Sequence, residues 1–274
     1  MKSVLKALVL VAVLPAVLAA QAGQERPDEA KDLAKKLSNP VADLVSLPFQ
    51  FNWQEQVGPD KASQFILNIQ PVIPLEVSKS TNLIIRWIMP IIGQPSLAAG
   101  APPVQGMGDI TASFFLSPSK PEKLIWGAGP VFVLPTSANP YLGSGKWSVG
   151  PTFVVLKQQK GWTYGALWNQ VWSIAGDSGR SNVSQMFTQP FIAYTNKKAI
   201  TWTLNSEMIT NWEASSGQQW TVPINLMVSK IAFVGPFPAS YQLGLGYYIV
   251  HPDAGPTWKI RVNFTLLLPT EKKK

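Results

Sequence analysis

The sequence predicts an all-β chain: an antiparallel transmembrane β-barrel of about 12 strands with a short N-terminal helix, the even strand count being the rule for bacterial barrels. Three observations predict it. From Val45 onward bulky apolar residues alternate with small or polar ones, and successive side chains of a strand point to opposite faces. Long connections alternate with short ones. Tryptophan, 11 residues in all, gathers at strand ends, where a ring with a polar N–H suits an interface.

The 274-residue chain opens with Met1–Ala20. Lys2 and Lys6 precede an apolar run that ends in small residues, the pattern of a secretory signal peptide cut after Ala20 or Ala22. The run is too short for a membrane anchor, and Pro15 interrupts it. Four segments follow from this reading: a signal peptide at 1–20, an N-terminal helix region at 21–43, a barrel at 44–268 and a basic tail at 269–274. In the second segment Pro27 suits the first turn of a helix. Asp28, Glu29 and Asp32 lie near the positive end of its dipole, Lys35 and Lys36 near the negative end. Ala30, Leu33, Ala34 and Leu37 share one side, and Asn39-Pro40 stops the helix. Such an amphipathic helix plugs a lumen, rests in the periplasm, or is only a solvated leader.

There is no cysteine, so no disulfide framework and no thiol chemistry. The formal charge is +8. Lys2 and Lys6 account for two of these charges. Lys272, Lys273 and Lys274, less Glu271, account for two more, so +4 is left for the rest. The remaining basic residues are scattered, which is no nucleic-acid footprint.

The strand-like stretches follow in order. Val45, Leu47, Phe49, Phe51 and Trp53 oppose Ser46, Gln50 and Asn52. Phe65, Leu67 and Ile69 oppose Gln64, Asn68 and Gln70. Leu83, Ile85 and Trp87 oppose Asn82 and Arg86. Ile110, Ala112 and Phe114 oppose Asp109, Thr111 and Ser113. The clearest hairpin is Leu124–Lys157, where Trp126, Phe132, Trp147 and Phe153 oppose Gly127, Gly129, Gly150 and Thr152. Trp162, Tyr164 and Trp168 then oppose Thr163 and Asn169. Met186–Thr195 reads as a strand with mixed faces. Trp202 and Leu204 oppose Thr201, Thr203, Asn205 and Glu207, and Trp220, Ile224 and Leu226 oppose Thr221 and Asn225. Tyr241, Leu243, Leu245 and Tyr247 oppose Gln242, Gly244 and Gly246. Trp258, Ile260, Val262 and Phe264 oppose Lys259, Arg261 and Asn263.

A barrel with its bulky face outward turns Gln50, Asn52, Gln70, Arg86, Asp109, Asn205, Glu207, Asn225, Lys259, Arg261 and Asn263 into its interior. Arg86 and Asp109 are placed to pair across neighbouring strands. Trp53, Trp147, Trp172, Trp212, Trp220 and Trp258 fall at one membrane interface, and Trp126, Trp162 and Trp202 at the other. Long connections at Val57–Ala62, Gly93–Gly106, Thr136–Gly145, Ala175–Asn182, Glu213–Gln218 and His251–Gly255 share one end. Ser117–Lys123 and Lys230–Phe237 are longer than tight turns at the opposite end. Pro71, Pro130, Pro151 and Pro190 lie inside strands, where a missing N–H predicts bulges or kinks.

Several stretches carry a resemblance: LAKKLSNPVADLVSLPFQFNW at Leu33–Trp53, WGAGPVFVLPT at Trp126–Thr136, GSGKWSVGPTFVVLKQ at Gly143–Gln158 and QWTVPINLMVSK at Gln219–Lys230. With NIQPVIPL, GDITASFFLSP, WTYGALWNQVWSIAG and QPFIAYT they resemble a bacterial outer-membrane "transporter" family often labelled neuromedin U-like. That family is related to the barrels of the meta-pathway of phenol degradation. The resemblance covers nearly the whole chain after the leader. It implies an outer-membrane barrel of a Gram-negative bacterium and passage of small molecules, but no particular binding residues. The chain departs from ordinary outer-membrane barrels where Pro269–Lys274 follows the last strand, in place of a terminal aromatic residue.

Chemical motifs are few. His251 is the single histidine and falls in a loop with no nucleophile spaced beside it. Gly143-Ser144-Gly145-Lys146 lacks the Ser/Thr and upstream glycine of a P-loop. One carboxylate at Asp177 is too few for calcium. No cofactor, metal or enzymatic activity is expected. The expected partners are outer-membrane lipids, the barrel-assembly machinery and a small-molecule solute passing down its gradient. The alternatives are a non-conducting barrel whose loops bind a partner and, behind it, an outer-membrane hydrolase.

Overall fold

The computed structural model describes residues 26–268 except 99, 121, 122 and 236. The leader and the basic tail lie outside the described residues. Helix α1 (Pro27–Leu37) has Pro in its first turn, Asp28 and Glu29 at its start and Lys35 and Lys36 at its end. The strand segments are β1 (Val45–Val57), β2 (Ala62–Ile69), β3 (Val72–Ser78), β4 (Thr81–Gln94), β5 (Val104–Met107), β6 (Ile110–Pro118), β7 (Ile125–Leu134), β8 (Lys146–Gln159), β9 (Trp162–Gly176), β10 (Ser184–Thr195), β11 (Ile200–Asn205), β12 (Met208–Asn211), β13 (Trp220–Val234), β14 (Phe237–Val250) and β15 (Trp258–Leu268). The pairs β2 and β3, β5 and β6, and β11 and β12 each form one wall in two pieces. The result is a closed antiparallel barrel of 12 strands. Closure is made by β15 pairing back onto β1, from Glu55↔Trp258 to Val45↔Leu268.

Cross-strand register sorts the two faces. Leu204, Leu226, Leu245, Ile260, Trp53 and Phe65 stand side by side around half the circumference and form a continuous apolar band. One residue along, Asn205, Asn225, Gly246, Lys259 and Gln54 make a polar row on the opposite face. Leu245 is 64% exposed and Asn225 1%. A slip of one residue would exchange these rows, so the sequence pattern itself holds the register.

The start of β1, the end of β15 and the short turns lie at one end of the barrel, here the terminal end. Lys160 and Gly161 connect β8 to β9 with φ of 51° and 86°, the left-handed pair of a two-residue hairpin turn. The connection expected at Lys230–Phe237 is also tight. Strands β13 and β14 run on to Val234 and Phe237, which pair with each other. The apolar run hid these extra strand residues because it lacks clean alternation.

The prolines do not produce the expected bulges. Pro130 and Pro151 face one another between β7 and β8. On their outer flanks the ladder skips two positions and resumes in the same register: Ser113↔Val131 to Leu116↔Ala128, and Val149↔Trp172 to Thr152↔Asn169. In each gap the carbonyl opposite the proline, that of Phe114 or Gln170, lies over the preceding glycine, and a Cβ at Gly129 or Gly150 would overlap it. Each glycine-proline pair therefore makes a gap without a shift. Pro190 acts on its neighbour in the same way. Pairing of β10 stops at Phe191↔Asn205 and resumes at Thr188↔Met208, which leaves Ser206 and Glu207 between β11 and β12.

The interior has two unlike halves. Toward β4, β6, β8 and β9 it is filled by Ile84, Phe115, Val154, Leu156 and Leu167. Across from them the inward side chains of β1, β11, β13, β14 and β15 are mostly polar. The segment after α1 crosses between the halves. Val41 packs into the first group. Ala42 and Leu44 join Ala30, Leu33 and Ala34 of the helix in a cluster with Ala199, Ile231, Phe233 and Leu267.

Candidate functional site: a charged cluster above an internal chamber

Glu207 is the centre of the polar half. The break between β11 and β12 sets it there. Its neighbour Ser206 donates its hydroxyl to the Pro223 carbonyl at 2.6 Å and its N–H to the Pro190 carbonyl at 3.2 Å. Freed from the ladder, Glu207 meets two long cations projecting from β15. Arg261 donates through Nη1 to Glu207 Oε1 and through Nη2 to Oε2, both at 2.7 Å. Lys259 Nζ lies 3.1 Å from Oε2. Arg261 Nε donates to Asn52 Oδ1 at 2.8 Å. Lys259 and Arg261 are 4% and 6% exposed, so neither charge is hydrated as it would be at a surface. Two-pronged geometry and full use of both carboxylate oxygens are what make such a buried group tolerable.

Space for these side chains comes from β14. Gly244 stands opposite Arg261 and Gly246 opposite Lys259. A Cβ at Gly246 would overlap Asn225 Oδ1 and crowd the Lys259 stem. Two positions further along β14, Tyr248 turns inward and is 5% exposed, with Lys259 Nζ 5.3 Å from its ring centre. Asn225 Nδ2 donates to Asn205 Oδ1 at 2.8 Å. The Gln50 amide lies between Gln70 and Arg261. With its oxygen turned to accept from the Arg261 guanidinium at 2.8–3.0 Å, its NH2 faces the Gln70 amide, and Gln70 Oε1 accepts from Arg86 Nη2 at 2.9 Å.

Below the cluster lies a cavity of about 250 Å³. Its upper wall holds Gln50, Gln70, Arg86, Asn205, Glu207, Arg261 and Asn263. Its floor is the N-terminal segment, with Ala34, Leu37, Pro40, Ala42 and Leu44. Seven of the eleven polar residues singled out in the sequence therefore line one chamber. Asn52, Asn225 and Lys259 are buried in the cluster beside it. Gln158 Nε2 donates to the Lys35 carbonyl at 2.8 Å, and Arg26 lies over the Phe233 ring at 5.4 Å. These contacts tie both ends of α1 to the wall.

Asp109 is the exception, and the expected Arg86–Asp109 pair does not form. Asp109 sits at the far end, where its carboxylate takes the Ser137 N–H at 3.2 Å and the Ser144 N–H and hydroxyl at 2.7 and 2.9 Å. Arg180 donates to the carbonyls of Pro140 and Gly143 at 2.9 and 2.5 Å. Together they hold the loop between β7 and β8 folded, with Leu142 buried. Alternation could place Asp109 on a face but not at a height along the barrel, and loop amides outcompete a distant guanidinium.

Sequence reasoning missed Tyr248, because the run Tyr247-Tyr248 hides which ring faces in. It also missed the apolar half of the interior. Inward Ile84, Phe115 and Val154 do not contrast with their outward neighbours, so no alternation betrays them.

The aromatic residues expected at the two interfaces lie near strand ends and are mostly exposed. Trp126, Trp147, Trp162, Trp172, Trp202, Trp212, Trp220 and Trp258 are all exposed, and Trp53 is half-buried. At the terminal end Trp162, Tyr194 and Trp202 stand in a row, with ring centres 4.9 and 6.4 Å apart. At the other end Trp212 meets Trp220 edge-on at 5.9 Å and donates its N–H to Gln170 at 3.1 Å. His251 Nδ1 lies 2.8 Å from the Pro252 carbonyl. Asp177 accepts the Gly179 N–H at 2.8 Å in a local turn.

Comparisons with protein-family models and with curated proteins gave no match. Solved structures share the fold. An outer membrane channel from Pseudomonas putida F1 superposes with a TM-score of 0.60 at 14% identity, over 82% of this chain and 94% of that one. The NanC porin does so with a TM-score of 0.53 at 7% identity, over 82% and 100%. An outer membrane phospholipase dimer from Salmonella typhi is a looser match, with a TM-score of 0.44 at 10% identity over 88% and 97%. The architecture is that of a bacterial outer-membrane β-barrel.

Proposed function

We propose that this chain is a passive channel for small solutes in the outer membrane of a Gram-negative bacterium, with its terminal end in the periplasm. The observation that carries the reading is the closed barrel with an apolar outer band and a polar chamber inside one half of the wall. The fold it shares with an outer membrane channel and a porin is in line with this. Barrel shape by itself also hosts enzymes and adhesins, so the interior bears the weight. In this reading the N-terminal segment is the gate. It spans the chamber floor and is held by two apolar clusters and a few polar contacts at the ends of α1, not by a strand ladder.

The test is conductance in planar bilayers and solute uptake in liposomes, comparing the mature chain with one lacking residues 24–39. Uptake that rises on deletion supports both channel and gate. No conductance and no uptake in either form overturns the reading and favours a non-conducting barrel. The packed half of the interior around Phe115 and Val154 would then extend to a fully closed lumen.

A further inference from the structure

The chamber has an unbalanced charge. Glu207 is already engaged by two cations, because Arg261 takes both of its oxygens and Lys259 shares one. Arg86 lines the same cavity, yet among the described residues no carboxylate lies within ion-pair distance of it. Its one hydrogen bond among the described residues goes to the neutral Gln70 amide. A guanidinium carries five N–H donors in a planar fork that fits a carboxylate. Apolar side chains line the same chamber among its Ser, Thr and Gln residues: Leu44, Phe191, Met227 and Ile231, with Val72 directly across from Arg86 on β3.

We propose that this chamber is a binding site for small amphipathic monocarboxylates. The carboxylate takes the free donors of Arg86, and the short hydrocarbon body lies against Phe191, Met227 and the Leu44 floor. A neutral isostere gains the apolar contacts but leaves the guanidinium unpaired. Inorganic phosphate satisfies the guanidinium but leaves the apolar wall uncovered. The inference deepens the channel reading by naming a solute class at the same site, and it can be tested apart from it.

The probe is hexanoate, with hexanamide and inorganic phosphate as controls. Binding to the purified mature chain in detergent is followed by relaxation of the ligand's own NMR signals. Hexanoate is expected to bind and hexanamide and phosphate to bind far more weakly. Arg86→Gln is expected to weaken hexanoate about tenfold or more, the effect of losing a charge-assisted hydrogen bond. Arg86→Lys is expected to recover part of the loss. Heat-modifiable migration identifies which variants have folded. If Arg86→Gln does not fold, Phe191→Asp takes its place and is expected to abolish hexanoate binding by placing a carboxylate and an unfilled gap where the hydrocarbon body lies. Equal binding of hexanoate and hexanamide, or unchanged binding in a folded Arg86→Gln, overturns the site. Conductance without hexanoate binding overturns the site and leaves the channel. Hexanoate binding without conductance does the reverse.

Discussion

Arg261 grips Glu207 with two parallel hydrogen bonds of 2.7 Å inside the barrel wall. The grip links β15 to the broken wall of β11 and β12 across the lumen, a link that no ladder hydrogen bond provides. Its strength is conditional. Burial makes the pair costly to form and costlier to break, because the surviving partner is left charged and undercompensated.

Glu207→Gln is therefore expected to destabilise the folded barrel by about 3 kcal/mol or more, the range for breaking a buried pair from one side. Urea unfolding in lipid vesicles measures it. Glu207→Gln combined with Arg261→Met should cost less than Glu207→Gln alone. A double variant whose cost equals the sum of the single ones would mean the two residues are not coupled.

Gly246→Val should displace Lys259 and Asn225, whose atoms occupy the space a side chain needs. Overpacking of this kind costs about 1–3 kcal/mol. The same substitution at Gly217, where nothing lies within 4 Å of the added Cβ, is a control for space but not for backbone, since Gly217 has a φ of 83°. Comparing the urea midpoints of Gly246→Val and Gly246→Ala separates a graded steric effect from simple loss of glycine.

The hold on the N-terminal segment is mainly apolar, with one hydrogen bond from Gln158 and one cation–ring contact at the ends of α1. Leu33→Asp or Val41→Asp puts a charge into one of its two clusters and should release the segment without unfolding the barrel. Trypsin should then cut at Lys35 and Lys36 faster than in the parent chain, while the barrel stays heat-modifiable. Unchanged cleavage would show that the segment is held by something other than these clusters.

Asp109 and Arg180 brace one loop from opposite sides. Arg180→Ala should speed hydrogen exchange at the loop amides of Ser137 and Ser144 and leave the strand amides of β7 and β8 protected. Uniform loss of protection in both strands would assign Arg180 a role in the wall itself.

The chain has no native cysteine, so single thiols report cleanly. Gln242→Cys faces the chamber and should react with a small water-soluble thiol reagent in vesicles. Leu243→Cys and Leu245→Cys, on the exposed apolar band, should react slowly because lipid covers them. The opposite order would reverse the assigned faces.

The sequence by itself determined the barrel, its inside and outside, and that the first and last strands have their outer ends on the same side. These are periodic properties. One residue of slip inverts every face, so rows such as Leu226–Leu245–Ile260 and Asn225–Gly246–Lys259 are legible one strand at a time. Only the tertiary structure decided what the inward residues do. Alternation says that Glu207, Arg86 and Asp109 point inward, but not which is at the same height as which. Height depends on strand stagger and on gaps. Here Pro190 opens the ladder beside Glu207 and frees it to meet Arg261 from three strands away, while Asp109 ends beyond reach of Arg86 and holds a loop instead. The apolar half of the interior was illegible for a related reason. A strand apolar on both faces, such as the stretch around Ile84, has no period-two contrast. Whether Ile84 meets lipid, Val41 or an empty lumen is settled by what the closed barrel brings against it.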